Sequence, residues 1–222
     1  KKEILAFVYV PGWVGEARED LRERLDSGQD YDTPLQCPFI THWLHNMSHD
    51  QVLDMLKYMN MSNAPESKVK VIFVPCYLDG EDGILNETYY DLLIGNDLCI
   101  YPSYYEPWGY TPLESIAFKV PTITTDLSGF GLWVNLERKH VSTLKEGVGV
   151  IHRTDYNYSE VADKIKDDVV EFSTYSSDDI KNVRGCASKL SEKALWKHFI
   201  QYYYKAYDFA LRKATERILT KN

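Results

Sequence analysis

Short runs of β-forming residues alternate with helical patterns along this chain, and that alternation limits the fold more than any other feature. Val69–Val74 is the clearest run, Val-Lys-Val-Ile-Phe-Val, stopped by Pro75. So continuous an apolar run suits a strand buried on both faces of a parallel sheet. Residues 3–10, 98–101, 122–125 and 147–152 read as further strands. Between them, residues 14–25, 48–59, 86–95 and 112–118 carry helical spacing, with Ser48 as cap of the second and Gly95 closing the third. Residues 28–38 form a polar loop and 79–83 a turn, and helices follow over 159–172, 177–189 and 191–219. Strand–helix alternation of this kind gives an α/β fold, a doubly wound, Rossmann-like parallel sheet with a helical C-terminal extension. Residues 1–155 are expected to form the sheet domain and 156–222 the C-terminal helices packed on it.

A chain of 222 residues with 44% hydrophobic content can build a sizeable core. Its net charge of −8 lacks the basic stripe that nucleic acid or an anionic membrane would require, so neither is expected as a partner. Cys37, Cys76, Cys99 and Cys186 are scattered, which fits free thiols in a reducing compartment. No stretch approaches a membrane span and the first residues do not read as a signal peptide, so a cytoplasmic location is expected. The 17 tyrosines and five tryptophans supply packing faces with polar tips; sugar-handling surfaces use the same residues, and composition does not separate the two uses.

The chemistry concentrates in the segment Tyr-Pro-Ser-Tyr-Tyr-Glu-Pro-Trp-Gly-Tyr-Thr-Pro-Leu-Glu, residues 101–114. Glu106 precedes Pro107, which pushes its backbone out of the helical region and into a loop. Thr111, Pro112 and Glu114 read as the start of a helix, with Thr111 as cap and Glu114 closing a T-x-x-E capping box. A strand, a loop with an exposed acid and a helix N-terminus then follow one another, an arrangement that suits a phosphate. The loop also lies at the carboxyl end of a strand, where ligands bind in such sheets.

This block, together with Pro-Thr-Ile-Thr-Thr-Asp-Leu-Ser-Gly-Phe-Gly at residues 121–131, closely resembles eukaryotic-type glycogen synthase, a glycosyltransferase family 3-like enzyme. The resemblance covers residues 1–134 well and the last third loosely. Glu106 and Glu114 match that family's E-x7-E motif, a weak signal alone and a strong one within the block. The resemblance implies the donor-binding C-terminal half of a retaining GT-B glucosyltransferase that moves glucose from UDP-glucose to the 4-hydroxyl end of an α-1,4-glucan. It implies that Glu106 holds hydroxyls of the transferred glucose, for which a two-oxygen acceptor is suited. Backbone groups of Trp108 and Gly109 would contact the same sugar, and amides of Tyr110 and Thr111 the diphosphate. Glu114 has two compatible readings, capping its own helix and binding the ribose. Tyr89 aligns with a tyrosine that stacks on uracil; read from the residues alone, Tyr89 and Tyr90 pack an amphipathic helix. Phe130 reads as a packing residue in a tight turn freed by Gly129 and Gly131.

No metal or cofactor is expected. Cys37, His42, His45 and His49 lack ligand spacing, and Asp30-Tyr31-Asp32 reads as a solvated loop. The resemblance places the arginine and lysine that clamp the diphosphate ahead of the first strand, and the acceptor-side domain outside these residues. The isolated chain is therefore expected to bind nucleotide-sugar weakly and not turn it over. Residues 177–189 carry Asp178, Asp179, Lys181, Arg184 and Lys189 where family members carry an arginine-rich helix, so strong glucose 6-phosphate activation is not expected. The stripe Trp196, Phe199, Tyr202, Tyr203, Tyr207 and Leu211 reads first as core, and in part as a face toward the N-terminal domain of the same enzyme. A homo-oligomer is compatible with all of this. Rival readings are a related GT-B transferase using another donor such as ADP-glucose, and a catalytically silent carbohydrate-binding domain.

Overall fold

A computed structural model describes residues 3–219, which divide into two compact units, the first ending at Leu92 and the second beginning at Leu93. Both are α/β, with parallel strands and flanking helices, as the alternation of runs predicts.

In the first unit, β1 (Ile4–Tyr9) pairs in parallel with β4 (Val69–Val74), in register from Ile4 opposite Val69 to Tyr9 opposite Val74. Between them come β2 (Val14–Ala17), α1 (Glu19–Ser27), β3 (His42–Leu44), a 3-10 turn (Met47–His49) and α2 (Gln51–Tyr58). Ile40, Leu44 and Phe73 form the core, against which Val8, Val14, Val52 and Leu53 pack.

Two local expectations fail here for identifiable reasons. Residues 14–25 are not one helix, because Val14 and Ala17 pair antiparallel with Leu44 and His42. The helix begins only after Arg18, which is completely buried. Its guanidinium donates to the carbonyls of Gln36 at 2.8 Å and Cys37 at 2.6 Å, pairs with Asp20 at 2.7 Å and lies 4.5 Å from the Trp43 ring centroid. A buried charge persists only with such complete pairing. Ser48 is not the cap of α2 either. Asp50 fills that position, its carboxylate accepting from the N–H groups of Val52 at 3.0 Å and Leu53 at 2.9 Å.

The third helix, α3 (Tyr89–Ile94), starts later than residue 86 because Asp82 captures the preceding amides. Its two carboxylate oxygens accept from Ile84, Leu85 and Asn86.

In the second unit, β5 (Cys99–Tyr101), β6 (Thr122–Thr125) and β7 (Val148–Ile151) form a parallel sheet in that order. The helices are α4 (Tyr110–Ala117), α5 (Gly129–Arg138), α6 (Tyr158–Ser173), α7 (Ser177–Lys193) and α8 (Trp196–Leu219). Ile116, Phe130, Val134, Val148, Val150, Ala187 and Leu190 make one core cluster, while Ile123, Leu144, Ile151, Val161 and Phe172 make another. Helices α6 and α7 therefore pack against this sheet. Helix α8 buries none of its residues. The expectation that its aromatic stripe is core is overturned: Trp196, Tyr202, Tyr203, Tyr207 and Leu211 are all exposed. Of that stripe, Phe199 is drawn in, against Trp108 and Trp133. Among the described residues, no helix is long and apolar enough to cross a membrane.

Candidate functional site

Three parallel strands of the second unit end side by side, and the loops leaving them build the site. β5 feeds residues 102–109 and then α4; β6 feeds residues 126–128 and then α5. The two motifs singled out in the sequence are joined here by backbone. Glu106 N–H donates to the Leu127 carbonyl at 3.2 Å, Gly129 N–H to the Glu106 carbonyl at 3.0 Å, and Phe130 N–H to the Trp108 carbonyl at 2.6 Å. Glu106 and Ser128 thus form an isolated parallel bridge.

This contact explains the glycines in Ser-Gly-Phe-Gly, and it corrects the tight-turn reading. Ser128 caps α5, accepting from Gly131 N–H at 3.0 Å, so both glycines lie in the first turn of a regular helix. They are needed for proximity rather than backbone freedom. A Cβ at Gly129 would stand 2.2 Å from the Pro107 carbonyl oxygen, and one at Gly131 2.1 Å from that of Thr125. Phe130 is fully buried and packs as expected.

Helix α4 starts two residues earlier than its sequence suggests. Gly109 is the N-cap, at φ 109°, and no side-chain cap bond forms. A Cβ there would meet Phe130 Cβ at 3.3 Å and Pro112 Cγ at 3.1 Å, so conformation and space both call for glycine. Thr111 is then the second helical residue and not the cap, and the expected capping box with Glu114 does not form. Of the two readings of Glu114, capping is therefore removed. The early start brings the N–H groups of Tyr110 and Thr111 to the open end of the helix, where neither has a hydrogen-bond partner among the described residues. Two adjacent amides at the positive end of a helix dipole can receive an anion.

Glu106 and Tyr110 are exposed, as is Thr111, while Glu114 is half-buried. The Trp108 side chain turns inward, edge-on to Phe130 at 6.2 Å and to Phe199 at 5.5 Å between ring centroids. That leaves only its backbone to face the loop. The structure therefore brings Glu106, Trp108, Gly109, Tyr110, Thr111 and Glu114 into one loop–helix unit. Tyr89 belongs to the first unit, where it opens α3 with its ring 5.4 Å from that of Tyr90.

Other groups at these strand ends were not singled out in the sequence. Asp126 follows β6, and its carboxylate contacts His152 Nδ1 at 2.6 Å and accepts from Arg153 N–H at 2.9 Å. Tyr104 donates to Asp155, whose carboxylate raises the phenol above its ordinary pKa. Separations of tens of residues hide such pairs, although each begins just after a strand run, which is a usable signal.

In the first unit the fold gathers His42, Cys76 and Asp82, donor atoms lying within 4.8 Å of one another. Sequence spacing gave no sign of it. His42 contacts Thr41 Oγ1 at 2.9 Å through Nδ1 and the Asp82 carbonyl at 2.7 Å through Nε2. Burial first, and Asp82 next, push the Cys76 thiol up to about 11. The Asp82 carboxylate is committed to three backbone amides, so the arrangement is a satisfied hydrogen-bonded core. Of the histidine group noted in the sequence, His45 instead packs its ring on Trp13 at 4.9 Å. Asp30 and Asp32 are exposed loop residues, as expected.

Comparison with known proteins gives a consistent picture. The family model described as glycogen synthase matches residues 21–221. The chain is 32% identical over 194 residues to the glycogen [starch] synthase of Neurospora crassa, covering 87% of this chain and 27% of that protein. It is 32% identical over 176 residues to glycogen [starch] synthase isoform 2 of Saccharomyces cerevisiae, covering 79% of this chain and 25% of that one. With the liver glycogen [starch] synthase of Mus musculus the identity is 30% over 178 residues, covering 80% and 25%. The chain thus spans about a quarter of the length of the curated relatives it matches.

Proposed function

This chain belongs to the glycogen synthase family, and from that premise we propose that it is the donor-binding portion of a retaining glucosyltransferase acting from UDP-glucose onto the 4-hydroxyl end of an α-1,4-glucan. The observation that carries the reading is the stitched loop: Glu106 is fixed by Leu127 and Gly129 beside the amides of Tyr110 and Thr111, which have no partner among the described residues. A carboxylate that accepts sugar hydroxyls and an anion seat for the leaving diphosphate are then one short loop apart.

In this mechanism the two amides and the α4 dipole stabilise negative charge as the glucose–phosphate bond breaks. Glu106 orients glucose and supports the cationic character that develops at its anomeric carbon; it is not a nucleophile. The departing phosphate takes the acceptor's proton on the same face, which preserves configuration. Glu114 would hold the ribose and Tyr89 would stack on uracil. The reading needs no metal, and its partners are the nucleotide-sugar, glycogen and the N-terminal domain of the same enzyme, in the cytoplasm.

The test is a protein-observed NMR titration of this chain with UDP and then with ADP. Millimolar binding, worth about 4 kcal/mol, is visible by that method. Saturable shifts at Tyr110, Thr111 and Tyr89, larger for UDP, are expected. Equal responses to both nucleotides would remove the base preference. No response from the parent enzyme to either nucleotide would sink the donor-site reading.

A further inference from the structure

The loop bearing Glu106 is held at both ends, and the entry clamp has a single cation at its centre. At the exit, α5 takes the Glu106 and Trp108 carbonyls through backbone bonds. At the entry, residues at and just beyond the three strand ends converge. Thr125 Oγ1 donates to the Ser103 carbonyl at 2.5 Å. The Arg153 guanidinium donates to the Pro102 carbonyl and lies 5.3 Å from the Tyr104 ring centroid. The Tyr104 hydroxyl in turn donates to Asp155.

Arg153 is itself fixed from behind. Asp126 accepts its backbone N–H at 2.9 Å, meets the neighbouring His152 ring at 2.6 Å and donates its own N–H to the Ile151 carbonyl at 3.0 Å. Strand β7 therefore lends its following loop a defined start, from which one side chain reaches over the end of β6 to that of β5. A planar guanidinium can donate in its plane while presenting its face to an aromatic ring; an ammonium does these two jobs poorly.

We propose that Arg153 is a positioning residue for the Glu106 loop. It fixes Pro102 and Tyr104, and through them the approach of Glu106 and of the Tyr110 and Thr111 amides to donor. The catalytic consequence rests on the donor-site reading above; the mechanical claim does not.

The experiment compares the parent enzyme with its Arg153→Ala and Arg153→Lys variants by hydrogen exchange and by synthase kinetics. The Ser103 amide, bonded to the Tyr101 carbonyl at 2.8 Å, and the Glu106 amide, bonded to Leu127, report the loop. The Cys99 and Thr122 amides, bonded to Pro121 and Gly147, report the sheet and serve as the folding control. In Arg153→Ala the two loop amides should exchange about tenfold faster or more, with the sheet amides unchanged. Arg153→Lys should recover only part of the protection. The kcat of Arg153→Ala should fall about tenfold with the KM for glucan unchanged, the pattern of a misplaced donor site. Unchanged loop exchange, or faster exchange with an unaltered kcat, overturns the proposal. A wild-type parent without synthase activity would strike the functional reading instead, and the exchange data would still decide the clamp.

Discussion

Gly129 shows how a single residue without a side chain can couple two motifs. Its position 2.2 Å, at the Cβ that alanine would add, from the Pro107 carbonyl leaves backbone as the only thing that could move. Gly129→Ala is therefore expected to cost about 3 kcal/mol in denaturant unfolding and to shift the NMR signals of residues 106–110. An alanine tolerated within about 0.5 kcal/mol would mean that the loop and α5 separate freely. Glu106 presents the opposite case, since it is exposed and its side chain makes no hydrogen bond or ion pair among the described residues. Glu106→Gln should leave stability within about 0.5 kcal/mol while lowering the parent enzyme's kcat by about 100-fold. A stable variant with full activity would dismiss Glu106 from the chemistry.

At the scale of elements, legibility followed the range of the forces involved. Strands such as Val69–Val74 were readable because β-branched runs carry their preference locally. So was the strand–loop–helix succession of residues 101–114, because a strand end, a loop and a helix start lie in one stretch. Elements governed from a distance were not readable. Val14–Ala17 is a strand because it meets β3, and α1 begins where buried Arg18 finds the carbonyls of Gln36 and Cys37. The α4 start moved from Thr111 to Gly109 because Phe130, on another element, fills the space a side chain would need. Caps were misread at Ser48 and Thr111, but those the structure shows at Asp50 and Ser176 have local partners and give local predictions. Asp50→Ala should cost about 1 kcal/mol. At α7, Ser176 and Asp179 form a full capping box, and the Ser176 hydroxyl first, then its N–H, hold the Asp179 carboxyl below its ordinary 3.8. A depressed folded-state value means that this contribution is complete above pH 3.8 and fades as pH falls through the lower folded value. A carboxyl-detected NMR titration should place the Asp179 midpoint below 3.8, and Ser176→Ala should return it toward that figure.

For the molecule as a whole, the telling feature is a 24-residue helix with nothing buried. A surface helix gains most of its stability by hiding an apolar stripe, because propensity alone barely supports a helix in water. Helix α8 has such a stripe and shows it to solvent: Tyr203 is 47% exposed, Tyr207 57% and Leu211 67%. The aromatic cluster of Phe199, Trp108 and Trp133, with centroids 5.5 to 5.9 Å apart, ties its first turn to the rest of its unit. The consequences for stability should therefore divide sharply along one helix. Removing residues 204–219 should leave the thermal midpoint within about 2 °C, since that segment supports no core. Phe199→Ala, only a few residues upstream, should cost about 2 kcal/mol and perturb the fluorescence of the tryptophans it touches. It should also loosen Trp108, whose carbonyl receives the Phe130 N–H at the exit of the Glu106 loop, so nucleotide shifts at Tyr110 should weaken in the same variant. A truncation that lowered the midpoint by about 10 °C would instead mean that the far end of α8 carries stability through its aromatic face.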